Sequence, residues 1–301
     1  MRAMQYTEFG GPEVLIETDV EEPHAGPGQV RIAVRAASVN PADWKLRSGA
    51  SPRAARLTLP HIPGVDAAGV VDEVGEGAQA ALGDEIFGPT VSGAFAEFAL
   101  LQEFAAKPAA LGWPEAAGLP SAVETATRGL QRLGLQKGET LVISGAAGGV
   151  GAAAVQLALA AGATVIGTAG PDNLDYLRSL GATALNYGDG LVLRVRELAP
   201  QGIDRALDVA GKGTLPELIE LTGSPDRVIT LADPDAAAHG VVFEGGADGR
   251  AFWSLAPIAE SIERGEFSLP VSASFPLARA SEAHRLSETG HVRGKIVVTV
   301  D

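Results

Sequence analysis

The stretch ISGAAGGVGAAAV, residues 143–155, joins two apolar runs through a turn that consists almost entirely of glycine and alanine. The run before it, Thr140–Ser144, has the pattern of a buried strand, and Val150–Ala161 after it has the pattern of a helix. A second strand pattern, Thr164–Gly167, follows. This order predicts a βαβ unit in a parallel sheet.

The small residues of this turn have the spacing of the dinucleotide-binding fingerprint, with Ala146 in place of the first glycine. Gly148 would let the backbone approach a pyrophosphate, and Gly151 would let the helix pack close to its strand. Unpaired N–H groups at the helix start would bind the phosphates. A tight turn without a ligand is the alternative, but the βαβ context favours a nucleotide. The predicted contacts in the turn are Ala147, Gly148, Gly149 and Val150.

The end of the second strand indicates which nucleotide is bound. An NAD site usually carries an acidic residue there, which holds the ribose 2′-hydroxyl. This chain has GTAG at residues 167–170, so no carboxylate would repel a 2′-phosphate, and Thr168 and Asn173 would donate hydrogen bonds. These features favour NADPH over NADH, although no Arg or Lys lies between Gly167 and Leu177. Asp172 is interpreted as a helix cap.

The patterns divide the chain into three segments. Residues 1–113 contain short strand patterns separated by Gly, Pro and Asp, which is typical of a compact, partly closed β domain. Residues 114–250 alternate strand and helix patterns, which predicts an α/β domain with a doubly wound parallel sheet. Residues 251–301 have two helical patterns and end in a strand, KIVVTV.

Composition excludes several classes of function. The net charge of −14 argues against a nucleic-acid partner, since a polyanion would repel the chain. The absence of cysteine excludes disulfides and thiolate metal sites. No apolar stretch reaches the about 18 residues of a membrane span, and the N-terminus lacks the pattern of a signal peptide. We therefore expect a cytoplasmic protein that does not interact with a membrane.

Five motifs carry a family resemblance, and they are listed here: SVNPADWKLRSG (38–49), PHIPGVDAAGVVDEVGEG (60–77), GDEIFG (83–88), SGAAGGVG (144–151) and HVRGKIVVTV (291–300). With them the chain resembles the medium-chain dehydrogenase/reductase superfamily, and within it the zinc-independent quinone oxidoreductase group. The resemblance implies a GroES-like partly closed β-barrel, built from the N-terminal third and the C-terminal segment. It also implies an inserted Rossmann NADP-binding domain, an active site in the cleft, and a homodimer.

The resemblance also bears on the metal and the reaction. The zinc-containing members of the superfamily bind zinc through a Cys near the VNPAD stretch and a His in a GHE sequence. Here Val65 stands in place of that His, and the chain has no Cys, so no metal site is predicted. The implied reaction is hydride donation from NADPH to a quinone or to the β-carbon of an α,β-unsaturated carbonyl.

Three residues of the first motif are the catalytic candidates. By resemblance Asn40 lies near the nicotinamide ribose, and the alternative is a cap of the NPAD turn. Lys45 replaces a Tyr found in many relatives, and its charge would stabilise a forming enolate. A solvated surface lysine is the alternative. Asp43 is either a helix-start carboxylate or a neighbour that tunes Lys45.

Further cofactor contacts are expected in the middle of the chain. By resemblance Thr125 approaches the nicotinamide, and Tyr187 lies near the adenosine 2′-phosphate. Glu124, beside Thr125, occupies a place that is usually apolar in the family. Other contacts would come from residues at or just after the carboxyl ends of strands, where ordinary packing is the alternative. They are Gly167, Ala210, Leu231, Ala232 and Phe243.

Two other functions are compatible with the sequence. One is an enoyl reductase that acts on a biosynthetic intermediate. The other is a nucleotide-binding sensor or scaffold without turnover, because no proton donor is evident in the sequence.

Overall fold

A computed structural model describes residues 1–247 and 249–300 of the chain. It divides into two compact units, which are described separately. Unit 1 consists of Met1–Ser121 and the chain from Phe252 onward, and unit 2 consists of Ala122–Ala251.

The strands are β1 (Arg2–Gln5), β2 (Ile16–Asp19), β3 (Val30–Val39), β4 (Asp66–Val74), β5 (Glu85–Pro89), β6 (Phe98–Leu101), β7 (Ala105–Ala106), β8 (Thr140–Ser144), β9 (Thr164–Ala169), β10 (Thr183–Asn186), β11 (Arg205–Asp208), β12 (Val228–Thr230), β13 (Val242–Phe243), β14 (Val271–Pro276) and β15 (Lys295–Thr299). The helices are α1 (Pro41–Arg47), α2 (Trp113–Ala117), α3 (Pro120–Leu133), α4 (Gly149–Ala160), α5 (Leu174–Ser179), α6 (Leu191–Leu198), α7 (Leu215–Thr222), α8 (Leu255–Glu263) and α9 (Ala280–Glu288).

Unit 2 contains a six-stranded sheet in the order β10-β9-β8-β11-β12-β13, and all its neighbouring strands are parallel. The strand order reverses at β8, which is the doubly wound topology. All five residues of β8 are buried, which explains why this strand has an unbroken apolar pattern. The predicted α/β fold is confirmed, and its switch point places the glycine turn after the central strand.

Unit 1 contains a mixed seven-stranded sheet in the order β14-β15-β3-β4-β5-β7, with β6 paired to β3. The C-terminal strand β15 lies antiparallel to β3, with Ile296 opposite Val39. Its residues Ile296 and Val298 join Ile32, Val34 and Leu101 in the apolar core of the unit. The last segment of the chain therefore completes the sheet that the first segment begins.

The chain passes from unit 1 to unit 2 at Ser121, whereas the sequence pattern suggests residue 113. The reason is α2, which packs on β3 and β4 and buries Ala116 and Ala117. Ser121 also bonds to Asp66 of β4. Residues 114–121 are thus held by the sheet of unit 1.

The interpretation of Asp172 as a helix cap is wrong. Asp172 lies inside a 3-10 turn, Pro171–Asn173, whose N-cap is Gly170. Asn173 is the N-cap of α5, which begins at Leu174. The proline at the start of the turn fixes φ and favours this tighter geometry.

The longest helix among the described residues, α3, has 14 residues. None of the helices in the described residues is both long enough and apolar enough to cross a bilayer.

Candidate functional site

The glycine turn after β8 has two glycines with different roles. A Cβ on Gly151 would lie 2.2 Å from the Gly145 carbonyl oxygen and 2.7 Å from the Ala146 Cα, so only glycine fits where α4 passes the turn. A Cβ on Gly148 would meet one atom within 4 Å, the Gly145 carbonyl oxygen at 3.7 Å. Gly151 is therefore needed for packing, and the space beside Gly148 is open to a ligand.

The first turn of α4 follows directly from Gly148, its N-cap. Gly149 and Val150 are partly exposed there, while Ala147 is buried. The first N–H groups of a helix have no carbonyl partner within it, and they carry the positive end of the helix dipole. Together with the open space at Gly148, this is a suitable cradle for a diphosphate.

The other predicted cofactor contacts in unit 2 lie along one edge of its sheet. Register pairs Ser144 of β8 with Thr168 and with Asp208, and Thr230 with Asp208 and with Phe243. These ends are the carboxyl ends of parallel strands, where α/β sheets bind ligands. The predicted residues near or just after these ends are Thr168, Tyr187, Ala210, Leu231, Ala232 and Phe243. Gly167 lies inside β9 and is buried, and a Cβ there would lie 2.9 Å from the Cβ of Ala146.

Asp208, at the end of β11, holds the loops at this edge in place through hydrogen bonds. The sequence pattern did not predict this role. The Asp208 carboxylate is fully buried and accepts hydrogen bonds from the Ala210 N–H at 3.1 Å and the Thr230 hydroxyl at 2.8 Å. The Thr230 oxygen accepts in turn from the Ala232 N–H at 3.1 Å. Asp208 and Thr230 thus fix the two loops that carry Ala210, Leu231 and Ala232.

The residues predicted to meet the 2′-phosphate differ in exposure. Thr168 is 1% exposed, so its hydroxyl is closed to a ligand in this conformation, and Asn173 is partly exposed. Tyr187 is 49% exposed, and a Cβ on Gly170 would lie 3.8 Å from its hydroxyl. The Arg194 guanidinium donates to the carbonyl oxygens of Asn186 and Gly188, one on each side of Tyr187. The structure therefore places a positive charge beside Tyr187 that the sequence reasoning missed.

A buried network joins the start of α3 to the segment after β13, and we call it the α3 cluster (Glu124, Arg128, Glu244 and Arg250). The Arg128 Nε donates to Glu124 Oε1 at 2.6 Å, and its Nη1 donates to Glu244 Oε1 at 2.9 Å. Arg250 Nη1 lies 3.5 Å from Glu124 Oε2. The unusual Glu124 is thus neutralised by two arginines.

Charge pairing decides the protonation state of this cluster. Burial alone would raise the pKa of the Glu124 carboxyl, but the hydrogen bond and charge of Arg128, the Ala251 N–H and Arg250 outweigh it and hold the pKa below its ordinary value. Burial lowers the pKa of Arg128, and the two carboxylates overcome this effect and raise it. Glu124 is therefore ionised at neutral pH, and it can only accept hydrogen bonds.

In unit 1 the first motif forms β3 and α1, and its polar residues belong to a second network. We call it the α1 cluster (Ser38, Asn40, Asp43, Asp66, Ser121 and Lys295). At its centre is the fully buried Asp66, which accepts from the Ser38 hydroxyl at 2.7 Å and from the Ser121 hydroxyl at 2.6 Å. The residues of the α1 cluster come from distant parts of the chain, from Ser38 to Lys295, so the cluster joins the N-terminal and C-terminal parts of the unit.

The side chain of Asn40 is fully engaged inside this cluster. Its Nδ2 donates to Asp66 Oδ2 at 2.9 Å and to Ser38 Oγ at 3.0 Å, and its Oδ1 accepts from Lys295 Nζ. Asn40 is 7% exposed. The structure thus uses its amide to connect Asp66 and Lys295, and a cofactor would meet only what remains exposed.

Asp43 supports the start of α1. Its two oxygens accept the N–H groups of Asn40, at 2.7 Å, and Gly64, at 3.3 Å, and no bond between Asp43 and Lys45 is present among the described residues. Burial raises the pKa of Asp43 to about 7, and hydrogen bonding only partly opposes this effect. Burial also lowers the pKa of Lys295. The helix-start interpretation of Asp43 fits this geometry.

Lys45 lies on the more open side of α1. Its side chain is partly exposed, and its Nζ lies 5.7 Å from the centre of the Trp44 ring. A mobile cation at this position can meet a polar group that approaches unit 1.

A small cavity of about 140 Å³ opens beside α1, between Tyr6, Asp43, His61, Val65 and Thr90. Val65 is the residue that stands where zinc-containing relatives have a histidine. Pockets that enclose drug-sized ligands are about 300 Å³ or more, so this cavity suits a few waters or one small polar group. Among the described residues, no group of three or more His, Asp or Glu side chains is arranged to hold a metal ion.

Comparison with known proteins gives a consistent set of relatives. Residues 26–118 match the family described as alcohol dehydrogenase GroES-like domain, and residues 180–298 match the family described as zinc-binding dehydrogenase. The chain is 33% identical to the chloroplastic NADPH-dependent alkenal/one oxidoreductase of Arabidopsis thaliana, over 99% of this chain and 79% of that protein. It is 31% identical to the quinone oxidoreductase of Homo sapiens, over 94% and 93% of the two chains.

Solved structures agree with this set. The quinone oxidoreductase from Coxiella burnetii has a TM-score of 0.85 and 28% identity, and the match covers 100% of this chain and 99% of that chain. A mycobacterial protein in complex with NADPH has a TM-score of 0.85 and 26% identity, with 99% and 100% coverage.

Proposed function

Since the chain is a member of the medium-chain dehydrogenase/reductase superfamily, in its quinone oxidoreductase-like group, we propose that it is an NADPH-dependent oxidoreductase. It reduces a quinone or the β-carbon of an α,β-unsaturated carbonyl, and it uses no zinc. The observation that carries the proposal is the open space at Gly148, before the first turn of α4, in a chain similar along its whole length to oxidoreductases of such acceptors.

Unit 2 binds the cofactor in this proposal. Bound NADPH supplies a hydride from C4 of its nicotinamide. Ala147, Gly148, Gly149 and Val150 hold its diphosphate with backbone N–H groups. The loops fixed by Asp208 hold the rest of the molecule.

The preference for NADPH over NADH rests on charge at the end of β9 and β10. Residues 167–170 carry no carboxylate, and the Arg194 guanidinium lies beside Tyr187. An arginine attracts a 2′-phosphate, which NADH lacks.

Unit 1 supplies the groups that meet the acceptor. Lys45 donates a hydrogen bond to the acceptor's carbonyl oxygen and stabilises the negative charge that develops there. Asn40 and Asp43 position Lys45 by fixing the start of α1. The proton that completes the reduction comes from solvent or from a network linked to Lys45.

We also propose that the protein is a cytoplasmic homodimer. The outermost strand of the parallel sheet, β13, exposes 41% of Val242 and 50% of Phe243, and an open apolar strand edge favours pairing with a second copy.

The test is oxidation of NADPH in the presence of quinones, enones and enoyl thioesters, with NADH in parallel. We expect turnover with NADPH and with at least one quinone or enone. Gly148→Val should abolish nucleotide binding and leave the melting temperature unchanged, because its Cβ has space in the fold. Binding without turnover of any acceptor would instead indicate a sensor.

Lys45 is tested with two substitutions of similar length. Lys45→Met should lower kcat by about tenfold, as expected when one charged hydrogen-bond donor is lost, and Lys45→Arg should retain most of the activity. Unchanged kinetics in Lys45→Met would remove this residue from the site.

A further inference from the structure

Thr125 and Glu124 lie on the part of α3 that faces the carboxyl edge of the sheet in unit 2. A Cβ on Gly129, one turn after Thr125, would lie 3.2 Å from Leu231 Cδ1, so this face of α3 is against a loop at that edge. The segment that follows β13 is bonded to the same helix, since Arg128 Nη1 donates to the Glu244 carbonyl oxygen at 2.7 Å. This part of α3 is therefore fixed at the edge where the nucleotide is proposed to bind.

The hydroxyl of Thr125 is committed to its neighbour. Thr125 Oγ1 donates to Glu124 Oε2 at 3.0 Å. Because the Glu124 carboxylate has no proton, the hydroxyl can act only as the donor in this bond. Thr125 is partly exposed, so it presents to its surroundings a lone pair and a methyl group, and no hydrogen-bond donor.

We propose that Glu124 is a positioning residue for the cofactor. By holding the proton of the Thr125 hydroxyl, it makes Thr125 a hydrogen-bond acceptor for an N–H or O–H group on the nicotinamide half of NADPH. The proposal rests on the proposed function, and it assigns a role to a carboxylate that is 1% exposed.

The surroundings of Glu124 make its replacement by glutamine informative. Oε1 accepts from Arg128 Nε at 2.6 Å and from the Ala251 N–H at 3.2 Å, so both of its partners are donors. Oε2 accepts from Thr125 Oγ1 at 3.0 Å and lies farther from its other donors, Arg128 Nη2 at 3.4 Å and Arg250 Nη1 at 3.5 Å. In Glu124→Gln the amide oxygen therefore keeps the Oε1 place, where the bonds are shorter, and the NH₂ group faces Thr125 Oγ1 while the two guanidinium groups move away from it. The amide would donate to the threonine oxygen and free its hydroxyl proton. The substitution therefore reverses the polarity that Thr125 presents, with little change in shape.

Glu244→Gln is the matched control. Glu244 has a similarly buried side chain, bonded to the same Arg128 at 2.9 Å, and no bond links it to Thr125 among the described residues. Any loss of stability from removing one buried charge should appear in both variants.

The experiment is a double-mutant cycle on NADPH affinity, measured by fluorescence titration of the full chain, with Glu124→Gln, Thr125→Val and the double variant. We expect Glu124→Gln to weaken binding about fivefold to tenfold when Thr125 is present, which is the effect of one hydrogen bond. In the Thr125→Val background the same substitution should weaken binding by less than about twofold. Glu244→Gln should leave affinity unchanged.

Two other results would overturn the proposal. Equal losses of affinity in the wild-type and Thr125→Val backgrounds would show that Glu124 does not act through the hydroxyl. Lower melting temperatures in Glu124→Gln and Glu244→Gln with unchanged affinity would leave Glu124 a structural residue. Both results leave the proposed function intact, whereas a wild-type chain that binds neither NADPH nor NADH refutes the proposed function and this inference together.

Discussion

The two units stabilise their buried carboxylates in different ways. In the α3 cluster each carboxylate meets an arginine directly, with Glu124 and Glu244 on either side of Arg128. In the α1 cluster Asp66 is surrounded by hydroxyl and amide donors, and the hydrogen bonds connect it to Lys295 through Asn40. Burial therefore decides the direction of the pKa shifts in the α1 cluster, and charge pairing decides it in the α3 cluster.

This difference between the two clusters determines which of their groups titrate near neutral pH. In unit 2 the pKa of Glu124 is lowered and that of Arg128 is raised, so both move away from neutrality. In unit 1 burial raises the pKa of Asp43 to about 7 and lowers that of Lys295, so both move toward it. A carboxyl whose folded pKa is raised stabilises the fold below its unfolded pKa, and this stability is lost as the pH rises through the folded value. We therefore expect the α1 cluster to make the stability of unit 1 depend on pH near neutrality. The α3 cluster should not make the stability of unit 2 depend on pH there.

The largest effect is expected from Asp66→Ala. The substitution leaves the hydroxyls of Ser38 and Ser121 without their acceptor and takes one of two acceptors from the Asn40 amide. It also removes the carboxylate that most favours the charged form of Lys295. Breaking such a buried network should lower the free energy of unfolding by about 5 kcal/mol. Denaturant titration of the variant and wild type measures the loss. A loss below about 1 kcal/mol would show that the α1 cluster does not hold unit 1 together.

Arg128→Met should have the next largest effect, about 3 kcal/mol at pH 8, because it leaves Glu124 and Glu244 buried without their shared cation. Burial would then outweigh charge pairing at Glu124, and the pKa of this carboxyl would rise. The loss should therefore be smaller at pH 5, where the Glu124 carboxyl of the variant takes up a proton.

Denaturant titrations at both pH values measure this loss, with Arg196→Met as the control, since Arg196 and Glu220 form an exposed pair. An equal loss of stability at both pH values would contradict the expected rise in the pKa of Glu124 in the Arg128→Met variant.

Much of the fold could be predicted because its signals are local. The apolar runs of β8 and β9 and the small apolar residues of the helix between them can be recognised within a few residues of sequence. Strand β14, Val271–Pro276, was not predicted, although its residues alternate between apolar and polar, because Ser and Ala in its middle make this alternation weak. The strand forms because it pairs with β15, which is a tertiary effect. The short helix α7, Leu215–Thr222, was also not predicted.

The candidate site was less predictable, because its clusters join residues far apart in the chain. Lys295 and Asn40 are separated by 255 positions, and Arg128 and Glu244 by 116. A local signal existed in both cases. Lys295 begins a strand that is otherwise largely apolar, and Glu124 has the spacing of a helical pair with Arg128. Such signals indicate that a charge is buried, but only the fold shows what neutralises it.

The smallest effect tests whether a second buried group of unit 1 responds to pH, with a sign opposite to that of Asp43. His284 of α9 is fully buried, and its Nδ1 lies 3.1 Å from Nη1 of Arg47. The Nη2 of the same arginine donates to Glu288. Burial, with the charge of Arg47, lowers the pKa of His284 to about 3. The unfolded chain then binds a proton below pH about 6.5 that the folded chain refuses, so the free energy of unfolding falls as the pH drops from about 6.5 toward 3.

At pH 5 this contribution amounts to about 2 kcal/mol. We expect His284→Asn to be less stable than wild type at pH 7 and to lose about 2 kcal/mol less than wild type between pH 7 and pH 5. The exposed His291 provides the control, since His291→Asn should leave the pH dependence unchanged. If His284→Asn and wild type lose equal stability on acidification, His284 is protonated in the folded chain, and the pH response of unit 1 is limited to its α1 cluster.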